Sequence, residues 1–130
     1  MKYLFLLLIC VCCCLFGYAR PVIVYDDDNL SCNRIISLEQ DAYGFIWIAT
    51  EDGLNKYDGV KFSIYRNNKL NTNSLKNNYV RSLFEDSKGR FWVGCVNGLM
   101  LYDRVNDSFT EVPLYYGNKI IEPHVSSIIE

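Results

Sequence analysis

What this chain has little of narrows it first. It contains one histidine, three prolines and two methionines. The one histidine, His124, follows Pro123 in a stretch that reads as loop, and a lone loop histidine reads as solvated, not as a catalytic base. There is no Gly-x-Ser-x-Gly elbow, no phosphate-cradling loop and no His-Glu-x-x-His pair. Sequence therefore points to no catalytic residue, no metal ligand and no cofactor. There is also no basic run, and the formal charge is −2, so the electrostatic footprint of a nucleic-acid binder is missing. The acidic run Asp26-Asp27-Asp28 reads as a solvated linker. No window carries a convincing helical period.

Cysteine is scarcer than its count suggests. Four of the six, Cys10, Cys12, Cys13 and Cys14, fall within the first 19 residues. Those residues read as a secretory signal peptide. Met1-Lys2 is a short positive start, residues 3–16 are apolar without a break, and Gly17-Tyr18-Ala19 puts small residues where a signal peptidase reads. The apolar run is shorter than the ~20 residues a spanning helix needs, so cleavage after Ala19 is expected over an uncleaved anchor. Either way the chain from Arg20 onward leaves the cytoplasm. Cys32 and Cys95 remain. They lack zinc spacing and read as two unpaired thiols, with a disulfide between them left open.

What is there is a repeat. Half of the residues are hydrophobic and 15% are aromatic, ample for the core of one domain. Residues 35–58 laid on 80–103 without a gap give nine identical pairs out of 24. Asp41, Gly44, Trp47, Gly53, Leu54, Tyr57 and Asp58 return as Asp86, Gly89, Trp92, Gly98, Leu99, Tyr102 and Asp103; Ser37 and Leu38 return as Ser82 and Leu83. A further step of 45 places residues 125–130 on 80–85, where a third copy would start. Periods of this size mark solenoids, propellers and arrays.

Each copy reads as four short antiparallel strands. Residues 41–44 and 86–89 make tight turns in which an aspartate bonds the turn backbone and a glycine supplies positive φ. Asp52-Gly53 and Asp58-Gly59 mark the next two turns of the first copy. The second strand decides the packing. Phe45-Ile46-Trp47-Ile48 and Phe91-Trp92-Val93 are apolar at consecutive positions, which point to opposite faces. Both faces must be covered, so each sheet must lie against a copy of itself. Radial stacking of four-stranded meanders at this period is the β-propeller; a sandwich of unrelated hairpins fits the exact period poorly. The expected organisation is a signal peptide at 1–19, a lead-in at 20–34 with a strand at 22–25, one blade with its connector at 35–79, a second at 80–124, and the first strand of a third at 125–130. The fold class is all-β.

These residues resemble the two-component regulator propeller repeat. The family pattern is Asp-x-x-Gly-x-hydrophobic-Trp-hydrophobic-Gly/Ala-Thr followed by x-x-Gly-Leu-x-x-Tyr-Asp. The second copy departs from it at Cys95, where threonine is usual, and at Asn97. A leader followed at once by such repeats resembles the start of the hybrid two-component sensors of Bacteroidetes. That resemblance implies a periplasmic sensor, held at the inner membrane by its parent chain, with further blades as partners and a homodimeric histidine kinase as parent. It implies oligosaccharides released from glycans as ligands and polysaccharide-utilisation genes as output. Kinase activity would belong to the parent, not to these residues. Two other readings compete: a secreted lectin-like module closing into a ring by oligomerisation, and an enzyme on a propeller scaffold, which the missing acid–base groups disfavour. Trp47 and Trp92 sit in doubly apolar strands and read as core. Tyr79, Tyr115 and Tyr116, in the connectors, are the candidate sugar contacts, because an aromatic body with a polar tip suits a half-wet site.

Overall fold

The computed structural model describes residues 30–130. The leader and the strand expected at 22–25 lie outside the described residues. The chain forms ten strands and, among the described residues, no helix. Strands β1 (Ile35–Gln40), β2 (Ile46–Thr50), β3 (Gly53–Tyr57) and β4 (Phe62–Tyr65) make one antiparallel sheet in the order 1-2-3-4. Strands β5 (Val80–Glu85), β6 (Phe91–Cys95), β7 (Gly98–Asp103) and β8 (Ser108–Val112) make a second sheet in the order 5-6-7-8. β9 (Leu114–Tyr116) and β10 (Lys119–Ile121) form a separate hairpin.

The two sheets are the same object made twice. Ile35 faces Thr50 and Val80 faces Cys95; in both, the register slips by one residue before Ser37 or Ser82. Ile36 and Arg81 are thus the extra residues of matching β-bulges. Gly53 and Gly98 hold φ +137° and +147° at matching turns. There the backbone needs a conformation that a side chain resists.

The sheets meet face to face, with the core between them. Trp47 is fully buried and stacks on Phe91 at 4.6 Å between ring centres; Tyr102 meets it edge-on at 4.7 Å. Tyr65 and Phe109 continue the aromatic layer. In β2, four consecutive residues from Trp47 to Thr50 are buried, as a strand covered on both faces requires. The outer face of the second sheet is covered more thinly, and Trp92 there is only half-buried.

Two segments differ from expectation. Residues 112–124, read as a plain connector, contain the β9–β10 hairpin, turned at Gly117 with φ +59°. Its apolar, β-forming residues flank Gly117-Asn118, a pair suited to a tight turn. Residues 125–130, read as the opening strand of a third copy, join no β-ladder. They nevertheless contact the second sheet as β5 contacts the first. Glu85 accepts the Ala42 amide at 2.5 Å, and 45 residues on Glu130 accepts the Ser87 amide at 2.7 Å. Val125 lies so close that a Cβ on Gly94 would come within 2.7 Å of its carbonyl oxygen.

Candidate functional site

The two ends of the sheets do different work. At one end lie the aspartate turns. Asp41 Oδ1 accepts the amides of Tyr43 and Phe45, both at 3.0 Å, and Oδ2 accepts the indole N–H of Trp47 at 2.9 Å. Asp86 repeats this with Lys88, Arg90 and Trp92 at 3.0, 2.9 and 2.9 Å. Each carboxylate therefore fixes a turn and the indole beside it, Trp47 in the core and Trp92 on the outer face of the second sheet. Burial alone would raise both carboxyls, but the donated hydrogen bonds outweigh it, and Asp86 is held down at about 2 against an ordinary 3.8. A carboxyl whose pKa is lower folded than unfolded stabilises fully above pH 4, and that contribution is lost as pH falls toward 2. The thermal midpoint is therefore expected to drop between pH 4 and pH 2, and Asp86→Asn to make that drop shallower. Circular dichroism melts across this range check it; an unchanged slope in the variant contradicts the assignment.

Arg104 joins the sheets at the same end. Its guanidinium donates to Asp41 Oδ2 at 2.7 Å and Glu85 Oε1 at 2.6 Å, and packs over Tyr43 at 4.6 Å. Further into the seam, Lys56 Nζ lies 4.4 Å from the centre of the Phe45 ring and donates to the Tyr102 hydroxyl at 2.9 Å. Tyr65 and Tyr102 both donate to Asp107 Oδ1, at 2.7 and 2.5 Å. Burial, first, and the neighbouring Asp107 carboxylate push both phenols well above their ordinary range. They stay neutral donors. These charged groups all bond one another, so the seam is mortar between sheets.

The opposite end carries the long connector and the starts of the inner strands. Here the asparagines of residues 66–79 mostly bond their own loop, and Asn78 also donates to Asp52 at 2.9 Å. Asn67 donates to the carbonyls of Leu75 and Lys76, Asn78 receives the Asn67 amide, and Asn71 and Asn77 hold local turns. The loop also drops Leu75 into the core. A cavity of about 250 Å³ opens beside it, lined by residues that include Asn67, Lys69, Lys76 and Glu111. At the connector's end, the Tyr79 hydroxyl lies 3.4 Å from Glu51 Oε1, and Glu51 pairs with Arg34 at 3.2 Å. Arg81, on the bulge, sits over the Tyr79 ring at 5.5 Å. Burial, chiefly, raises the Cys95 thiol to about 11, and neither Cys95 nor Cys32 is in a disulfide.

This arrangement can be set against known proteins. Residues 29–52 and 74–97 each match the family described as two component regulator propeller. Both matched segments fall on the repeated sheets, each covering the inner strand, the aspartate turn and the second strand. "Histidine kinase P4" of Formosa agariphila is 50% identical over 48 residues, which is 37% of this chain and 4% of that protein. The extracellular domain assigned to a hybrid two component system of B. thetaiotaomicron superposes with a TM-score of 0.65 at 28% identity, over 78% of this chain and 15% of that one. A second extracellular domain from that organism, assigned to a one component system, superposes at 0.61 over 70% of this chain and 13% of its own, at 23% identity, and speaks to the fold alone. The chain thus spans a small fraction of the proteins it matches.

The three tyrosines singled out from sequence do not form one cluster, and Tyr115 and Tyr116 lie outside the matched segments. Tyr79 is half-buried at the start of β5. Tyr115 and Tyr116 stand on β9, 61% and 81% exposed, opposite Ile120 and Lys119. Sequence reasoning missed Glu51 and Arg81, which contact Tyr79, and Arg34, which pairs with Glu51. The signal for Arg81 was present but unread: the repeat has Ile36 at that position, so the fold does not ask for a cation there. Among the described residues, no group of three or more His, Cys, Asp and Glu is placed to hold a metal ion. The connector end presents hydrogen-bonding side chains and a tyrosine, which suits binding a polar ligand.

Proposed function

We propose that this chain is part of the periplasmic sensing propeller of a hybrid two-component histidine kinase. In this reading residues 1–19 direct export, residues 35–79 and 80–124 are successive blades, and residues 125–130 open a third. The connector end binds oligosaccharides released from glycans, and the parent kinase, as a homodimer in the inner membrane, relays binding to polysaccharide-utilisation genes. The observation that carries it is the likeness, in sequence and in fold, to the extracellular domain of a hybrid two component system. The match to a histidine kinase over one repeat supports it. A propeller of about 4–8 blades needs more sheets than two, which agrees with a chain that spans so little of its relatives.

In-frame deletion of the codons for residues 35–124 from the genome tests the reading. Transcripts are then compared across a panel of polysaccharides as carbon sources. Loss of induction of one polysaccharide-utilisation gene set, with the others intact, is the expected result. Unchanged induction on every polysaccharide would overturn it.

A further inference from the structure

We propose that Arg81, on the β5 bulge beside Tyr79, recognises an acidic group on the ligand, so that the oligosaccharide bound here carries a carboxylate or a sulfate. This rests on the glycan reading above and narrows it. Arg34, Arg66, Arg90 and Arg104 are each paired with a carboxylate at 2.6–3.3 Å. Arg81 is the one arginine among the described residues with no such pair. Its Nε is buried and has no hydrogen-bond partner; the Nε of Arg104 is orphaned too, but the rest of that guanidinium bonds Asp41 and Glu85, whereas Arg81 has no carboxylate at all. A desolvated donor left unmade is unfavourable, and native proteins keep few of them.

The backbone supplies the second observation. Arg81 is the extra residue where the β5–β6 register slips between Val80 and Ser82. Bulges re-aim a side chain and are frequent beside binding sites. The matching bulge of the first sheet carries Ile36, with the same slip between Ile35 and Ser37. The geometry of the bulge is thus common to both sheets, while the cation is confined to one. A residue needed for the sheet itself would be needed in both.

The surroundings favour an oxyanion. Arg81 lies within cation–π reach of Tyr79, which limits where the guanidinium can swing. Its planar fork matches a carboxylate or sulfate in two parallel hydrogen bonds. The nearby Glu51 does not oppose this, because Arg34 already neutralises it; Arg34, Glu51 and Arg81 together leave one positive charge. The same end holds a second unpartnered polar atom. Asn97 Oδ1 is buried without a partner, one residue from Val96, whose amide donates to the Tyr79 carbonyl at 3.2 Å. In the first repeat the matching Asp52 receives Asn78; in the second, Pro123 stands where Asn78 would and has no side-chain donor.

The test uses the full chain on an array of neutral, uronate-bearing and sulfated oligosaccharides, with affinities of the bound probes then measured by calorimetry. At least one acidic probe is expected to bind tenfold or more tightly than its neutral counterpart. Arg81→Gln should lose at least tenfold on that probe with the thermal midpoint unchanged, and Arg81→Lys should retain part of the affinity. Uronate and sulfate arms show which oxyanion is used. Binding of neutral probes alone, or acidic binding indifferent to Arg81→Gln, overturns this inference and leaves the glycan reading standing. No binding to any probe overturns both.

Discussion

Trp47→Ala is expected to lower the free energy of unfolding by about 3–5 kcal/mol, and Trp92→Ala by less than about half of that. The two rings occupy the same place in the repeat and make the same 2.9 Å bond to their aspartates. They differ in what lies on the far side. Trp47 has Phe91 and Tyr102 of the second sheet against it and no exposure. Trp92 borders an open groove of about 240 Å³ with Phe84, Leu99, Ile128 and Ile129 on its walls. Removing a ring from a sealed site leaves a cavity, whereas removing one from an open groove lets solvent fill the space. Urea unfolding of both variants measures the difference. Equal losses would mean that the sheet–sheet contact adds nothing to what each sheet supplies by itself.

The second large effect is at Arg104. Arg104→Met should cost about 2–3 kcal/mol, below the range for a fully buried pair, because the arginine side chain keeps 21% of its exposure. The loss comes from what is left behind. Asp41 has a fully buried side chain and Glu85 a nearly buried one, and both would lose the cation that they bond. Adding Asp41→Asn to Arg104→Met should therefore cost less than the same change in the wild-type chain. A double-mutant cycle should give a coupling of at least about 1 kcal/mol. Additive losses would show that the ion pair across the seam is incidental to the joining of the sheets.

The fold was legible because its determinants are local and occur twice. An aspartate three residues before a glycine, a tryptophan three further on, and a Gly-Leu turn specify a meander without reference to anything distant. The doubly apolar second strand then requires a neighbour. What sequence did not show was whatever depends on one copy differing from the other. Leu75 enters the core from a loop whose composition is polar, and only the asparagine bonds that fold residues 66–79 back on themselves explain how. The β9–β10 hairpin uses residues outside the repeat, so the period offered no warning of it. Arg104 stands where the first copy has Gly59, and its bond to Asp41 spans 63 positions.

The candidate site was less legible for a related reason. Aromatic residues in connectors are easy to mark as sugar contacts, and Tyr79, Tyr115 and Tyr116 were marked on that ground. Proximity is a tertiary fact, and it brings Glu51 and Arg81 to Tyr79, with Arg34 on Glu51, while leaving Tyr115 and Tyr116 on another hairpin. A comparison of the two copies position by position, looking for a charge in one and an aliphatic residue in the other, would have marked Arg81 against Ile36, together with Glu51 against Val96 and Lys56 against Leu101.

The central claim is that equivalent tryptophans are closed over by the next sheet in turn. Acrylamide quenching of two single-tryptophan chains, Trp92→Phe and Trp47→Phe, tests it most directly. Trp47, alone in the first, is expected to be shielded from the quencher, and Trp92, alone in the second, to be quenched several-fold more readily in the folded chain. Equal and ready quenching of both would contradict it, because the two sheets would then not be stacked.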